Sequence, residues 1–231
     1  MTSSGTYSFN PSIGETVLHA YNLIGVRPAS IVQEHMSTVR MAANLLLLDW
    51  SNMQVNLWEV DLVTVPLVQG QATYDVDPKT IVMLDTYITI DNGVSAPIDR
   101  IILPVSRSEY ASYPNKEQQG FPTIYWFDRL IAPTVTIWPV PDGFSAQYLK
   151  YYRVTQIQDA YTTNGQTLDM PPRWIPAFVD GLAVQLARIW APNRIQDLQP
   201  FADRSYTRAA NQDTETASFF VSPILSSYYR R

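Results

Sequence analysis

Residues 168–190 of the chain read LDMPPRWIPAFVDGLAVQLARIW. The apolar side chains recur at steps of four or three residues, which predicts one buried face of an α-helix at Trp174, Phe178, Leu182, Leu186 and Ile189. Pro171 and Pro172 mark the start of this helix, because amides in a first turn have no partner within the helix. Pro192 is predicted to end it. The stretch decides the fold class, because it predicts a return to helix after a long region, residues 56 to about 159, whose composition predicts β-strands.

A first helix is predicted to begin at Ser12. Ser12 and Glu15 have the spacing of a capping box, in which each side chain satisfies an otherwise unpaired backbone amide. Gly25 can end this helix. Its apolar residues fall on one face, at Ile13, Val17, Ala20, Tyr21 and Ile24.

A second helix is predicted from the same cap signature at Ser30 and Gln33 to about residue 54. Its apolar residues alternate steps of four and three, as in a heptad seam, at Val32, Met36, Val39, Ala43, Leu46, Trp50 and Met53. Leu45, Leu47 and Leu48 widen the apolar surface, which indicates neighbours on two sides. A bundle within one chain and an oligomer explain this pattern equally well.

The region from residue 56 to about 159 is rich in β-branched and aromatic residues in short runs, which predicts β-strands. Asp91-Asn92-Gly93 predicts a hairpin between strands at 84–90 and 96–103, because Asn-Gly tolerates the positive φ angles of a tight turn. A second strand pair, 133–140 with 147–155, is predicted around Pro141-Asp142-Gly143. Between these pairs, residues 106–120 are predicted to form a short helix and a polar loop.

A fourth helix is predicted over about 193–215, with one apolar face at Ile195, Leu198, Phe201, Ala202, Ser205 and Ala209. The fold class predicted from these patterns is α+β, a four-helix bundle with an inserted antiparallel β domain and an extended C-terminal tail. This fold divides the chain into four segments. They are an N-terminal arm with two helices at 1–55, the β domain at 56–165, the last two helices at 166–215 and the tail at 216–231.

Composition narrows the possible functions. The 231 residues carry a formal charge of −5, so the chain lacks the basic surface that tight DNA wrapping requires. There is no cysteine, which excludes disulfides, zinc–thiolate sites and thiol nucleophiles. No stretch approaches the roughly 20 apolar residues of a membrane span, and residues 1–11 are polar without a signal-peptide pattern. We therefore expect no membrane association and synthesis in the cytosol.

Candidate catalytic residues are few. His19 and His35 lack metal-ligand spacing, and no nucleotide-binding or nucleophile-elbow motif is present. Two carboxylate pairs, Glu59 with Asp61 and Asp75 with Asp77, have the residue types of a glycan hydrolase, but both lie beside predicted turns, where acidic residues are usually solvated. No catalytic residue, cofactor or metal ion is predicted.

Several motifs between residues 120 and 187 resemble those of one protein family. They are Gly120-Phe121-Pro122 with Tyr125 and Asp128, Trp138-Pro139-Val140-Pro141-Asp142-Gly143, Tyr148 to Tyr152, Leu168-Asp169-Met170-Pro171-Pro172-Arg173-Trp174, and Gly181-Leu182-Ala183 with Leu186-Ala187. The family is that of the head-to-tail adaptors of short-tailed phages, also called head-completion, packaged-DNA stabilisation or tubular ring proteins. The predicted order of helices and strands outside this stretch is also similar to that of the family.

The resemblance implies a structural virion protein at the portal–tail junction, assembled in the host cytoplasm. It implies a dodecameric ring beneath the portal protein, with the helices near the portal and the β domain toward tail nozzle, fibre or spike proteins. Genomic DNA would pass through without sequence-specific binding. A tail-tube or nozzle ring and a virion-associated glycan hydrolase are the alternatives.

Two sets of site residues are predicted. Small and apolar side chains are expected to pack the helices of the subunits at Val39, Ala43, Leu46, Trp50, Trp174, Phe178, Gly181 and Leu182. Residues 216–231 carry charge +2, whereas the preceding residues carry −7. This segment is expected to dock on the portal as an extended strand through Phe219, Phe220, Val221, Ile224, Leu225, Tyr228, Tyr229, Arg230 and Arg231. Folding back on its own subunit is the alternative.

Overall fold

The structure, a computed structural model, describes residues 5–6, 9–53, 57–91, 93, 96–161 and 165–213. Its helices are α1 (Ile13–Ile24), α2 (Gln33–Asn52), α3 (Arg107–Ser112), α4 (Ile175–Trp190) and α5 (Ile195–Gln212). Its strands are β1 (Val60–Pro66), β2 (Thr73–Asp75), β3 (Thr80–Asp91), β4 (Ile98–Ile101), β5 (Leu103–Pro104), β6 (Ile124–Asp128), β7 (Thr134–Trp138) and β8 (Ala146–Thr155). The mixed α+β class is confirmed. The four-helix bundle and the extended tail stay predictions.

The ends of α1 are set by the residues that the sequence indicated. The amide of Glu15 donates to Ser12 Oγ at 3.3 Å, and the amide of Ser12 donates to Glu15 Oε2 at 2.8 Å, which completes the capping box. Gly25 follows the last turn with φ +89°, a left-handed conformation that glycine adopts without strain.

The predicted start of α2 is wrong. Pro28 to Ser30 form a 3₁₀ turn in which the Ser30 hydroxyl donates to the carbonyl of Arg27 at 2.7 Å, so Ser30 is not the cap of α2. The helix begins at Gln33, and the amide of Val32 donates to His35 Nδ1 at 3.3 Å. Pro28 favours the start of a helical turn, and this turn includes Ser30, so the α-helix begins only after it.

The four longer helices share one hydrophobic core, with α4 packed against α1, α2 and α5. Four residues of the predicted α4 face are fully buried, namely Trp174, Phe178, Leu182 and Leu186. Four predicted positions are wrong, because Val32 and Met53 at the two ends of the α2 seam, Ile189 on α4 and Phe201 on α5 are exposed. Trp190 packs on the core in the last turn of α4, where Ile189 was expected.

The inserted region forms two four-stranded sheets, in the orders β1-β8-β3-β4 and β2-β7-β6-β5. They enclose a second core that includes Tyr74, Val76, Ile88, Ile102, Tyr125, Val135, Ile137, Leu149 and Tyr151. Most strand pairs are antiparallel, but β5 and β6 are parallel, so the expectation of a purely antiparallel domain is wrong in this one pair.

The predicted hairpin around the Asn-Gly turn forms. β3 pairs antiparallel with β4, with Ile90 opposite Ile98 and Tyr87 opposite Ile101. Gly93 has φ +67°, as the turn chemistry requires. The pairing of these two strands is confirmed, although β3 begins earlier than expected, at Thr80, and β4 covers only Ile98–Ile101 of the predicted 96–103.

The second predicted strand pair is wrong. β7 pairs with β2 and β6, whereas β8 pairs with β1 and β3 in the other sheet. The Pro141-Asp142-Gly143 segment crosses between sheets instead of closing a hairpin. Gly143 has φ +74°, and an added Cβ would lie 2.9 Å from Cδ of Gln69. The chain therefore turns tightly here and packs closely on Gln69, as the glycine indicated. Turn residues show that the chain bends and leave the pairing partner open.

The predicted short helix and loop also form. α3 is capped by Ser106, whose Oγ accepts from the Glu109 amide at 3.1 Å. After the helix, the Lys116 ammonium donates to the carbonyls of Tyr110, Ala111 and Tyr113. Within the described ranges, none of the helices is both long and apolar enough to cross a membrane.

Candidate functional site

The residues predicted to pack the helices lie inside one chain. Val39, Ala43, Leu46, Trp50, Trp174, Phe178 and Leu182 are all buried in the helical core. Gly181 lets α2 approach closely, because a Cβ at this position would lie 3.1 Å from Cδ2 of Leu46. These side chains therefore pack within a subunit, and a contact between subunits requires other residues.

An aromatic cluster joins the helices to the β region. Trp174 lies at the N-terminal end of α4, with its ring centroid 5.2 Å from that of Trp50 on α2 and 5.2 Å from that of Trp58, which precedes β1. Tyr206 of α5 packs on Trp174 at 5.7 Å. The Trp58 indole donates to the Asp169 carbonyl at 3.2 Å. The cluster thus brings both ends of the inserted region onto the helical core.

The end of α5 is held by a residue that sequence reasoning missed. The Asp213 carboxylate is nearly buried and accepts from both the Arg173 guanidinium and the Trp174 indole, the latter at 3.3 Å. Asp213 is the last described residue. The predicted docking segment, 216–231, starts three positions later and lies outside the described residues.

One member of each predicted carboxylate pair, Asp61 and Asp77, is bound by the same arginine. The guanidinium of Arg153 donates to both oxygens of Asp61, at 2.7 and 3.0 Å, and lies 3.2 Å from Asp77 Oδ2. Asp77 also accepts from the Lys79 amide, and this bond, followed by the charge of Arg153, lowers the pKa of the Asp77 carboxyl. Asp75 lies at the exposed end of β2.

Glu59 is the most perturbed carboxyl at this junction. The pKa of the Glu59 carboxyl is raised to about 7, mainly by burial; a hydrogen bond from Thr155 lowers it, and the hydrogen bond and charge of Asp169 contribute to the rise. The Thr155 hydroxyl donates to Glu59 Oε2 at 3.0 Å. Glu59, Asp61 and Arg153 line an open cavity of about 610 Å³ between the β region and the segment that leads back to the helices. Among the described residues, no group of three or more His, Asp or Glu side chains is arranged to hold a metal ion.

The Glu59→Gln variant is expected to be as stable as the parent at pH 5 and more stable at pH 8, by about 1–2 kcal/mol after allowance for partial exposure. The ordinary pKa of 4.5 applies to the unfolded chain and about 7 to the folded one. The folded state therefore binds more protons between these values, and stability falls as pH rises through them. Urea unfolding at both pH values measures the difference.

Asp77→Asn is the control with the opposite sign. The pKa of Asp77 is lowered in the folded state, so its stabilising effect is present at neutral pH and is lost on acidification. If the free energy of unfolding of Glu59→Gln depends on pH as that of the parent does, the Glu59 carboxyl is not the group that lowers stability as pH rises.

The two histidines occupy different settings. The His35 ring stacks on Trp190 at a centroid distance of 4.2 Å and meets the Tyr21 ring edge-on at 5.6 Å. His35 is thus held in helix packing. His19 is exposed and lines an apolar groove of about 420 Å³ between α1 and α4 with Glu15 and Asp180.

The outer face of α2 is apolar and has no partner among the described residues. Met41, Leu45 and Leu48 follow one another at helical spacing and are 64%, 55% and 42% exposed. Leu47, grouped with Leu45 and Leu48 in the sequence, is buried in the core. Contiguous exposed apolar side chains of this kind usually mark a binding surface.

The unpartnered apolar face of α2 is typical of a surface that binds another protein. The model of the SU10 adaptor protein family matches residues 32–223, and the chain belongs to this family. The match confirms the resemblance to phage adaptors, and it covers α2, both sheets, α4 and α5. The protein is therefore a phage adaptor, which places it in the virion in contact with other virion components. Among curated proteins, none matches the chain.

Proposed function

We propose that this chain is one subunit of a head-to-tail connector ring that docks under the portal, extends the DNA channel and provides the attachment site for the tail. The observation that carries the proposal is the family match over residues 32–223. A non-enzymatic role accords with the engagement of Asp61 and Asp77 by Arg153.

A ring needs two different surfaces on each subunit, because a head-to-tail contact is repeated around the symmetry axis. The exposed face of α2, at Met41, Leu45 and Leu48, supplies unpartnered apolar area. A dodecamer is proposed because the ring stacks on a portal of that symmetry. The helices would face the portal, and the two sheets would face tail nozzle, fibre or spike proteins.

We propose that the subunit is organised in the four segments predicted from the sequence, 1–55, 56–165, 166–215 and 216–231. The net charge of −5 suits a channel wall that repels phosphate and lets DNA pass without binding it. The ring would assemble in the host cytoplasm and remain at the portal–tail junction. A tail-tube or nozzle ring is the alternative, and the position of the protein in the particle distinguishes the two.

Deletion of residues 216–231 is expected to abolish binding to the portal and leave the fold intact. Aromatic and aliphatic side chains would carry most of the affinity of an extended segment, because ordering it costs conformational entropy. The ion pair of Asp213 with Arg173 holds the chain three positions before the segment, so the core retains its last helix. Co-sedimentation with the portal and thermal unfolding measure the two properties.

A substitution pair provides the matched control. Phe219→Ser with Tyr228→Ser should weaken portal binding, whereas Ser226→Ala with Ser227→Ala should leave it unchanged. If the truncated protein unfolds, or binds the portal as the full chain does, the segment is not the portal anchor.

A further inference from the structure

Both edges of the sheet β1-β8-β3-β4 are open in the part of the chain that the structure describes. β1 has seven residues and β4 has four. An open edge presents unpaired amides and carbonyls, and proteins normally cover a long one. In the other sheet the edge strands are shorter, with three residues in β2 and two in β5. The sheet that contains β1 therefore has the greater need of a partner.

The backbone groups that face outward can be identified from the alternation of antiparallel pairing. The Leu67 amide donates to the Gln147 carbonyl at 2.9 Å, so every second residue of β1 from Leu67 backward bonds to β8. The intervening residues, Leu62 and Thr64, direct their amides and carbonyls to the open edge. The Ile102 amide donates to the Thr86 carbonyl at 3.0 Å, and by the same argument Asp99 and Ile101 face outward on β4.

The side chains of these residues belong to one face of the sheet. Leu62 lies opposite Tyr152, and Ile101 lies opposite Tyr87. The Tyr152 hydroxyl is close enough to that of Tyr87 to contribute, after burial, to the raised pKa of Tyr87, so the two pairs are neighbours. An apolar band thus crosses all four strands, on the face away from the sandwich core, and ends at each edge in an exposed aliphatic side chain. Leu62 is 45% exposed and Ile101 is 74% exposed.

We propose that β4 of one copy pairs with β1 of the next, with Leu62 opposite Ile101 and Thr64 opposite Asp99. This inference rests on the proposed ring and identifies a contact within it. Successive strands of the sheet are antiparallel, so β1 and β4 run in opposite directions. A rotation about an axis parallel to the strands preserves these directions and gives an antiparallel, head-to-tail contact.

The chemistry selects this register. It joins two aliphatic side chains and continues the apolar band from copy to copy. It also places the Thr64 hydroxyl beside Asp99, a residue whose carboxylate already accepts from the Thr89 hydroxyl at 2.6 Å within the chain. A shift of two residues would set Leu62 against Asp99, or Thr64 against Ile101 and Pro66 against Asp99. Both shifted registers leave an exposed aliphatic side chain without an apolar partner.

Cysteine pairing tests the contact, and the parent chain contains no cysteine. Full-length Leu62→Cys chains are mixed with Ile101→Cys chains, assembled with the portal of the same phage and oxidised. Directly opposite residues in a hydrogen-bonded pair are about 5.5 Å apart at Cα, within disulfide reach. Covalent dimers of the two chains should exceed by at least about tenfold those from Leu62→Cys mixed with Ile131→Cys. Ile131, 99% exposed, controls for thiol access.

Each result decides a different point. A ring that assembles on the portal without this crosslink overturns the strand pairing and leaves the proposed function standing. Crosslinks within Leu62→Cys alone or Ile101→Cys alone would show a two-fold contact and also overturn it. Failure of the parent chain to assemble would overturn both. As a second measurement, Leu62→Asp should remain folded and fail to form the ring, whereas Ile131→Asp should assemble normally.

Discussion

Replacing Trp174 with alanine is expected to lower the free energy of unfolding by about 3–5 kcal/mol. The side chain is fully buried and packs against the tilted rings of Trp50 and Trp58, each with its centroid 5.2 Å away. Its indole also donates to the Asp213 carboxylate at 3.3 Å. The substitution therefore leaves a large cavity where two helices and the β region meet, and it removes a partner of a nearly buried charge.

Urea unfolding at neutral pH measures the loss. Trp174→Phe is the conservative comparison, because it retains most of the apolar volume and loses only the indole donor, at a cost of about 1–2 kcal/mol. Trp126→Ala is the matched control in the β region, where the half-buried indole stacks mainly on Tyr110. A Trp174→Ala variant that is no less stable than Trp126→Ala would contradict the central position of Trp174.

The elements predictable from the sequence were those whose signals are local. The Ser12–Glu15 capping box and the Asn-Gly turn signal act within a few residues: α1 begins where the box predicts, and β3 pairs with β4 as the turn signal predicts. The prediction that β7 pairs with β8 is wrong because the choice of a strand's partner depends on residues far away in the sequence. β8 bonds to β1, about 90 residues away, and buries Leu149 and Tyr151 there, which no turn residue encodes.

The residues of the candidate site show the same difference between local and nonlocal signals. The heptad seam of α2 predicted buried residues such as Val39 and Leu46, because burial follows helical period. The ion pair of Arg173 with Asp213 joins residues 40 apart, and that of Arg153 with Asp61 joins residues 92 apart. The band from Leu62 to Ile101 requires the strand order as well. Contacts of this kind depend on topology, which the local sequence does not specify.

The distinction between core and surface also changes which residues should govern assembly. Helix residues that the sequence marked for packing, such as Trp50 and Phe178, lie inside one chain. Substitutions there should act on folding and should affect assembly only through it. Residues of the outer α2 face and of the sheet edges, such as Leu45 and Leu62, are exposed in the single chain. Substitutions there should change assembly without a large change in the free energy of unfolding.

Replacing Gly181 with leucine is expected to destabilise the fold by about 2–3 kcal/mol. The glycine lies in the middle of α4, where alanine would ordinarily be preferred by about 1 kcal/mol. An added Cβ would lie 3.1 Å from Cδ2 and 3.3 Å from Cδ1 of Leu46, so a longer side chain has no room unless α2 moves. Gly181→Ala should be close to neutral, because the gain in helix propensity offsets a small displacement of Leu46.

A double-mutant cycle tests whether this contact sets the distance between α2 and α4. Leu46→Ala alone should cost about 2–5 kcal/mol, and a leucine at position 181 can then occupy the vacated space. The double variant should be more stable than the sum of the single losses by at least about 1 kcal/mol. Leu47→Ala is the control, since Leu47 is also buried on α2 but is not among the atoms nearest to that Cβ position, and its effect should add to that of Gly181→Leu. Equal coupling with both leucines would show that Gly181→Leu disturbs the core generally, because only a direct contact makes Leu46 the specific partner.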